Sequence, residues 1–192
     1  LSFGSQSVKD EDLRKAVGFF TQDPPILLHK SSLTLCYGKL SNSHDMDDIW
    51  ENDSSFLVGR AFDKETSCAL EKATFRKFSF FDKETVLKSI WGKYVYIHTH
   101  KEGSHFEIIV DPTGQLPFFY HPFSDGSILF SSDIEIIFKV LGEKPDYNWE
   151  YLCSYLVYGN SSAIQTPFKN VFELPSACAL KITKQERSTS PF

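Results

Sequence analysis

IIVDPTGQLPFFYHPFSDGSILFSSDIEIIF, residues Ile108–Phe138, is the stretch whose reading decides the fold. Phe106–Val110 is an apolar run of strand type. It stops at Asp111-Pro112, because the residue before a proline avoids the α region and proline brings no N–H to a ladder. Gly114 gives the turn its freedom, and Pro117–Tyr120 restarts as a short aromatic strand. Ser124-Asp125-Gly126 reads as a second turn and Ser127–Phe130 as the strand after it. Ser132-x-x-Glu135 has the spacing of a capping box, in which each side chain satisfies the other's orphan backbone N–H. It predicts a helix with Ile134, Ile137, Phe138 and Leu141 on one apolar face. Two hairpins feeding a helix form a packing unit and carry no chemistry of their own.

Upstream, Ser2–Ser7 reads as a first strand or its remnant, and Ser7-x-x-Asp10 opens a helix over Val8–Phe20 that buries Leu13, Val17 and Phe20. Asp23-Pro24-Pro25 ends it. Ile26–His29 and Ser32–Tyr37 read as strands, and Ser41–Ser55 as a polar, acidic surface loop pinned by Ile49 and Trp50. Phe56–Phe62 reads as a strand in which Gly59 marks a bulge or a close backbone approach. Lys64–Lys72 is expected to be a turn and short helix, and Ala73–Phe81 a phenylalanine-rich strand. Asp82 caps a helix to Trp91 that buries Val86, Leu87 and Ile90, and Tyr94–His100 is the next strand. Downstream, an Asp146-capped helix over Tyr147–Tyr158 carries Trp149, Leu152, Cys153 and Leu156 as its stripe, with Gly159 as its stop. Pro167–Leu174 is an irregular connector, Ala177–Ile182 the last strand, and the chain from Lys184 onward is polar and linker-like.

The 192 residues suit one domain with a sizeable core. Eighteen phenylalanines and 15% aromatics point to a sheet-rich interior packed with rings. A net charge of −5, from 20 basic and 25 acidic residues, leaves no basic footprint for nucleic acid. No run approaches the roughly 18 apolar residues of a membrane span, and no signal peptide is visible. Cys36, Cys68, Cys153 and Cys178 are widely spaced and are read as buried free thiols of a reducing, cytoplasmic setting. The chain opens on Leu1 without an initiator methionine and stops at Ser190-Pro191-Phe192, and is read as a piece of a longer polypeptide.

DPTGQLPFFY, LFSSDIEIIF, PDYNWEYLCSYLVYG and TPFKNVFELPSACALKI together carry a resemblance. In order and spacing over Trp91–Ile182 they are similar to the second half of the amino-terminal domain of asparagine synthetase-type proteins. That domain is a class II glutamine amidotransferase with an Ntn-hydrolase fold. Trp91-Gly92-Lys93-Tyr94, followed by the DPTG turn, looks closest to the divergent branch that includes lasso-peptide cyclases. The resemblance implies an α+β fold: a four-layer αββα sandwich of two mainly antiparallel sheets. It further implies a glutamine amidotransferase type 2-like domain over residues 1–183, with residues 184–192 starting a linker to an ATP-dependent synthetase domain. ATP and Mg would belong to that missing domain, and no cofactor to this chain, which contains no Gly-rich phosphate loop. The expected partners are that carboxy-terminal domain and, as a homodimer, a second copy; no nucleic acid and no membrane are expected.

In the family an amino-terminal cysteine attacks the glutamine amide with its own α-amino group as base, and an Asn side chain and a Gly N–H hold the oxyanion. Here Leu1 stands first and no cysteine precedes Cys36. The Asn-Gly motif falls on Val58-Gly59: the glycine is kept, but valine donates no hydrogen bond, and one such donor is worth about 100- to 1000-fold in rate. The arginine for the glutamine carboxylate falls near Lys39, which keeps the charge without the bidentate fork. Asp82 is a candidate for the acid that receives the glutamine ammonium, though more simply a helix cap. Lys39, Val58, Gly59 and Asp82 thus outline a vestigial pocket without catalytic residues. The expected function is a degenerate glutaminase-like domain serving as scaffold for a synthetase half, with the face around Pro117–Tyr120 and Phe168–Leu174 for docking. The competing readings are an active glutaminase whose cysteine lies just upstream of Leu1, and a free-standing binding module.

Other constellations read as structural. His98-Thr99-His100, with His105 nearby, puts two rings on one strand face as a chelate would need, but no carboxylate or cysteine follows at close spacing and that face is expected to be exposed. Asp45–Asp53 lacks the calcium-loop pattern. Arg60 and Asp63 are expected to pair at a strand end. Ser2 could act as a nucleophile only after cleavage behind Leu1.

Overall fold

The structure, a computed structural model, describes residues 2–3, 9–18, 26–30, 33–37, 48–51, 55–70, 75, 83–99, 105–159, 164–183 and 187–191. The chain divides into two compact units. One comprises Leu1–His44 and Pro117–Leu174, the other Asp45–Leu116 and Pro175–Phe192. Each unit is built on one six-stranded sheet, and every strand pairing among the described residues is antiparallel. Two antiparallel sheets with separate helices are what the expected Ntn-hydrolase-like α+β fold requires.

In the first unit the strands are β1 (Ser2–Phe3), β2 (Ile26–Lys30), β3 (Leu33–Tyr37), β8 (Phe119–Pro122), β9 (Ile128–Ser131) and β10 (Phe172–Glu173), in the order β10-β8-β9-β1-β3-β2. Helix α1 (Asp10–Gly18) buries Leu13, Ala16 and Val17. Leu13 and Val17 meet Ile137 of helix α3 (Ile134–Leu141), Leu129 and Val171 in one apolar cluster. Phe20 lies outside the described residues.

Two helix starts differ from the sequence reading. The cap of α3 is Asp133, in extended conformation, whose carboxylate accepts from the Glu135 N–H at 2.9 Å. Ser131 Oγ in turn accepts from the Asp133 N–H at 3.0 Å. An ionised acceptor one residue further on outcompetes the Ser132 hydroxyl for the first free amides. Asp133→Ala is therefore expected to cost about 1 kcal/mol and Ser132→Ala only a few tenths, as chemical denaturation can check; the reverse order would restore the Ser132–Glu135 box. The helix read as Asp146-capped is α4 (Trp149–Tyr158), capped by Asn148, which accepts from the Tyr151 N–H at 3.1 Å. Asp146 instead meets Lys169 Nζ at 2.9 Å in an exposed pair, and Tyr147 bridges to Phe168. Gly159 closes α4 in the left-handed conformation, as expected, donating to the Tyr155 carbonyl at 2.8 Å.

The second unit holds β4 (Asp48–Glu51), β5 (Ser55–Asp63), β6 (Ile90–Thr99), β7 (His105–Val110), β11 (Cys178–Thr183) and β12 (Arg187–Pro191), in the order β12-β11-β7-β6-β5-β4. Helix α2 (Lys83–Ser89) buries Val86 into a cluster with Leu57, Tyr94, Tyr96 and Ile109. Several expectations are corrected here. Part of the acidic loop is strand β4, whose polar letters suit an edge position. Ile90 and Trp91 belong to β6 rather than to the helix. Phe75, the described residue of the expected strand Ala73–Phe81, is helical. The residues read as linker-like supply β12, whose backbone pairs with β11 from Arg187 to Pro191 despite polar side chains.

The DPTG turn follows its sequence logic. Asp111 is fully buried, and its Oδ1 accepts from the Thr113 N–H at 2.9 Å and from the Thr113 hydroxyl at 2.5 Å. The Gly114 N–H donates to the Asp111 carbonyl at 3.1 Å.

Candidate functional site

Val58 and Gly59 sit in the middle of β5, with strands on both sides. Val58 is in register with Ile49 and Val95, and Gly59 with Asp48 and Tyr94. Gly59 has φ +113°, and a Cβ there would lie 2.4 Å from the Lys93 carbonyl oxygen. The approach is reciprocal: Gly92, at φ +131°, would put a Cβ 2.4 Å from the Arg60 carbonyl oxygen. Both distances are far below van der Waals contact with backbone, so glycine at 59 is demanded by the β5–β6 pairing itself. Val58 is half-buried and offers only methyl groups.

Of the four expected pocket positions the structure brings together these two. Lys39 and Asp82 lie outside the described residues, beyond the end of β3 at Tyr37 and before the start of α2 at Lys83.

A polar cluster lies where the histidine pair drew attention. Ser55 Oγ is 2.8 Å from the Tyr96 hydroxyl and 2.9 Å from His98 Nδ1. Contrary to the sequence reading, His98 is half-buried and a carboxylate does accompany it, because Glu107 stands directly across on β7. Ser55 and Tyr96 are buried, and burial pushes the Tyr96 hydroxyl above its usual pKa. This is a satisfied core-edge network with no open nucleophile. His100 lies outside the described residues, and among the described ones no three His, Cys, Asp or Glu side chains group to hold a metal.

Three further expectations meet the structure. Asp63 accepts from the backbone N–H groups of Glu65 and Thr66 and from the Thr66 hydroxyl. The Thr66 amide, first among these, holds its carboxyl below the usual range. Cys68 and Cys153 are exposed and Cys178 is buried, since Cys68 follows a turn and Cys153 lies on a helix that buries nothing. The face around Pro117–Tyr120 and Phe168–Leu174 is not rich in exposed rings: Phe118 is buried, and Tyr120 stacks on Phe172 at 5.4 Å. In this unit exposed aromatics gather instead at α4, with Trp149 66% and Tyr158 75% exposed and Leu156 82% exposed beside them. Nothing in a sequence stripe of apolar letters distinguishes such a helix from a core one.

The glutamine amidotransferase domain family matches this chain over residues 79–192, more than half of its length. The chain belongs to that family. No curated protein matches it. Among solved structures it is similar to one described as the structure of the allosteric regulatory enzyme of purine biosynthesis, with 11% identity and a TM-score of 0.39. That likeness covers 76% of this chain and 30% of the other, so the chain spans less than a third of that protein. The amidotransferase match begins after Lys39, Val58 and Gly59, and of the four pocket positions only Asp82 falls inside it. The matched residues include the DPTG turn, α3, α4 and β11. No helix among its described residues is long and apolar enough to cross a membrane.

Proposed function

We propose that this glutamine amidotransferase domain is the amino-terminal, glutaminase-like part of an asparagine synthase-related, amide-forming protein, and that it no longer cuts glutamine. The observation that carries the reading is Val58, at the position where the resemblance puts the oxyanion asparagine. Its side chain cannot donate, and a missing donor of that kind costs about 100- to 1000-fold. Gly59 does not weigh against this, because the close pairing of β5 with β6 alone demands it. The domain then serves as a scaffold for an ATP- and Mg-dependent synthetase half. The exposed, almost uncharged helix α4, carrying Trp149, Leu156, Val157 and Tyr158, is suited to that contact.

The test is a coupled glutamate assay on the protein with its native amino terminus. Glutamate release from glutamine should stay at background, and amide formation in the whole protein should respond to free ammonia or another amine but not to glutamine. Turnover of glutamine at a rate typical of enzymes, about 1 s⁻¹ or more, would establish the competing reading of an active glutaminase with its cysteine upstream of Leu1. A synthetase half that folds and works at full rate without residues 1–192 would remove the scaffold role.

A further inference from the structure

Helix α4, of sequence WEYLCSYLVY, buries none of its residues. Its half-buried members Tyr151, Leu152 and Ser154 mark the side that rests on the domain. At about 100° per residue, Trp149, Cys153, Leu156 and Val157 point the opposite way, on one i, i+4, i+7, i+8 face. All four are exposed, Val157 to 70%. The Tyr147 ring lies 5.9 Å from that of Trp149 and prolongs the face beyond the cap. Glu150, on the flank, is the one charged residue of the helix. The stripe is also close to symmetric about Cys153: Trp149 stands four residues before it, Leu156 and Val157 three and four after it.

We infer that this face joins α4 to the α4 of a second copy of the chain, antiparallel across a two-fold axis at Cys153. Such a contact is isologous, so the patch has to complement itself. The axis sets the Trp149 ring of each copy against Leu156 and Val157 of the other, a large ring on two branched aliphatic side chains at both ends. Cysteine, the smallest side chain of the stripe, stands at the crossing, where it lets the two helices approach closely. Chains of net charge −5 repel each other, and a face without charge is where two copies meet at the least electrostatic cost. With about 150–250 Å² for a ring side chain, the exposed parts of Tyr147, Trp149, Cys153, Leu156 and Val157 come to on the order of 500 Å² per copy. Two copies then remove about 1,000 Å² from water, which is the lower limit of a specific interface and suits a reversible one. The inference rests on the scaffold reading only in taking α4 as a contact helix; it gives the Trp149 side to a second copy and leaves Tyr155 and Tyr158 for a synthetase half.

The experiment follows the full chain in reductant by sedimentation velocity. The mass should move from one copy to two as concentration rises, with a dissociation constant on the order of 10 µM. Leu156→Glu changes an exposed position and should weaken the dimer at least about tenfold. Tyr158→Glu, on the other side of the helix, should leave it unchanged. Copper phenanthroline in air, the oxidant that takes two thiols to one disulfide, should cross-link Cys68→Ser into a covalent dimer and fail to cross-link Cys153→Ser. The inference is overturned by a chain that stays monomeric, by a dimer that Leu156→Glu weakens no more than Tyr158→Glu does, or by a disulfide that survives Cys153→Ser. The first of these outcomes leaves the Trp149 side to the synthetase half. If Leu156→Glu does not fold, the two cysteine variants decide. None of the readouts involves glutamine, so a failure here is distinct from a failure of the reading above, which shows as glutamate release.

Discussion

Gly59→Ala is expected to lose roughly 3–5 kcal/mol of stability. Two costs combine. An L-residue held at positive φ costs on the order of 1–3 kcal/mol. A Cβ 2.4 Å from the Lys93 carbonyl oxygen must also push β5 and β6 apart, an overpacking of about 1–3 kcal/mol. Against a typical total of about 5–15 kcal/mol, little folded protein should remain at elevated temperature. Gly126→Ala is the control, since Gly126 has φ +88° with no atom within 4 Å of its Cβ position. It isolates the backbone cost from the clash. Gly92→Ala should resemble Gly59→Ala, and the double variant should cost less than the sum, because one separation of the strands relieves both contacts. Urea midpoints measure all four. Equal losses in Gly59→Ala and Gly126→Ala would show that the close approach is not the determinant.

Asp111→Ala should be the second large loss, about 2–4 kcal/mol. The Asp111 carboxylate is fully buried and collects the Thr113 N–H, the Thr113 hydroxyl and, at 3.4 Å, the Gln115 N–H on a single oxygen. Removing it leaves these donors without their acceptor and frees the turn between β7 and β8, and hydrogen bonds to a charged acceptor are worth about 1.5–3 kcal/mol. Among the described residues, its other oxygen, Oδ2, and the Tyr94 hydroxyl are both buried without a hydrogen-bond partner. Burial, with Asp111 as a lesser cause, pushes the Tyr94 hydroxyl well above its usual pKa. Tyr94→Phe removes one orphaned group at little cost in packing, and should be neutral or stabilising by up to about 1 kcal/mol. Thermal melts of the two variants should move in opposite directions or differ by 10 °C or so. If Tyr94→Phe loses as much as Asp111→Ala, the hydroxyl has a structural partner after all.

The elements that the sequence made legible are those with a local cause. Asp111-Pro112 had to end β7, Ser124-Asp125-Gly126 had to turn, and Gly159 had to stop α4. Gly59 was readable as a close approach because few other reasons place glycine inside an apolar strand. The errors arose where distant contacts decide. β4 and β12 look like polar loop and linker because an edge strand draws its stability from backbone pairing with a neighbour far along the chain. Ile90 and Trp91 continue a helical apolar pattern, yet pairing with Phe62 and Asp63 takes them into β6. The cap of α3 lies one residue further on because Asp133 and Ser132 are both favoured N-cap residues, and only the geometry chooses between them. For the candidate site, Val58 could be singled out only through the resemblance, whereas the stacking of Phe62 on Trp91 joins residues about 30 apart and is invisible without the register.

The mutual intrusion of two carbonyls into two side-chain-free positions has a bearing on how such sequences are sorted. A glycine that the close β5–β6 pairing demands is held in place by folding alone. Its presence in a related chain therefore reports that the two strands approach closely, and is silent on any reaction beside them.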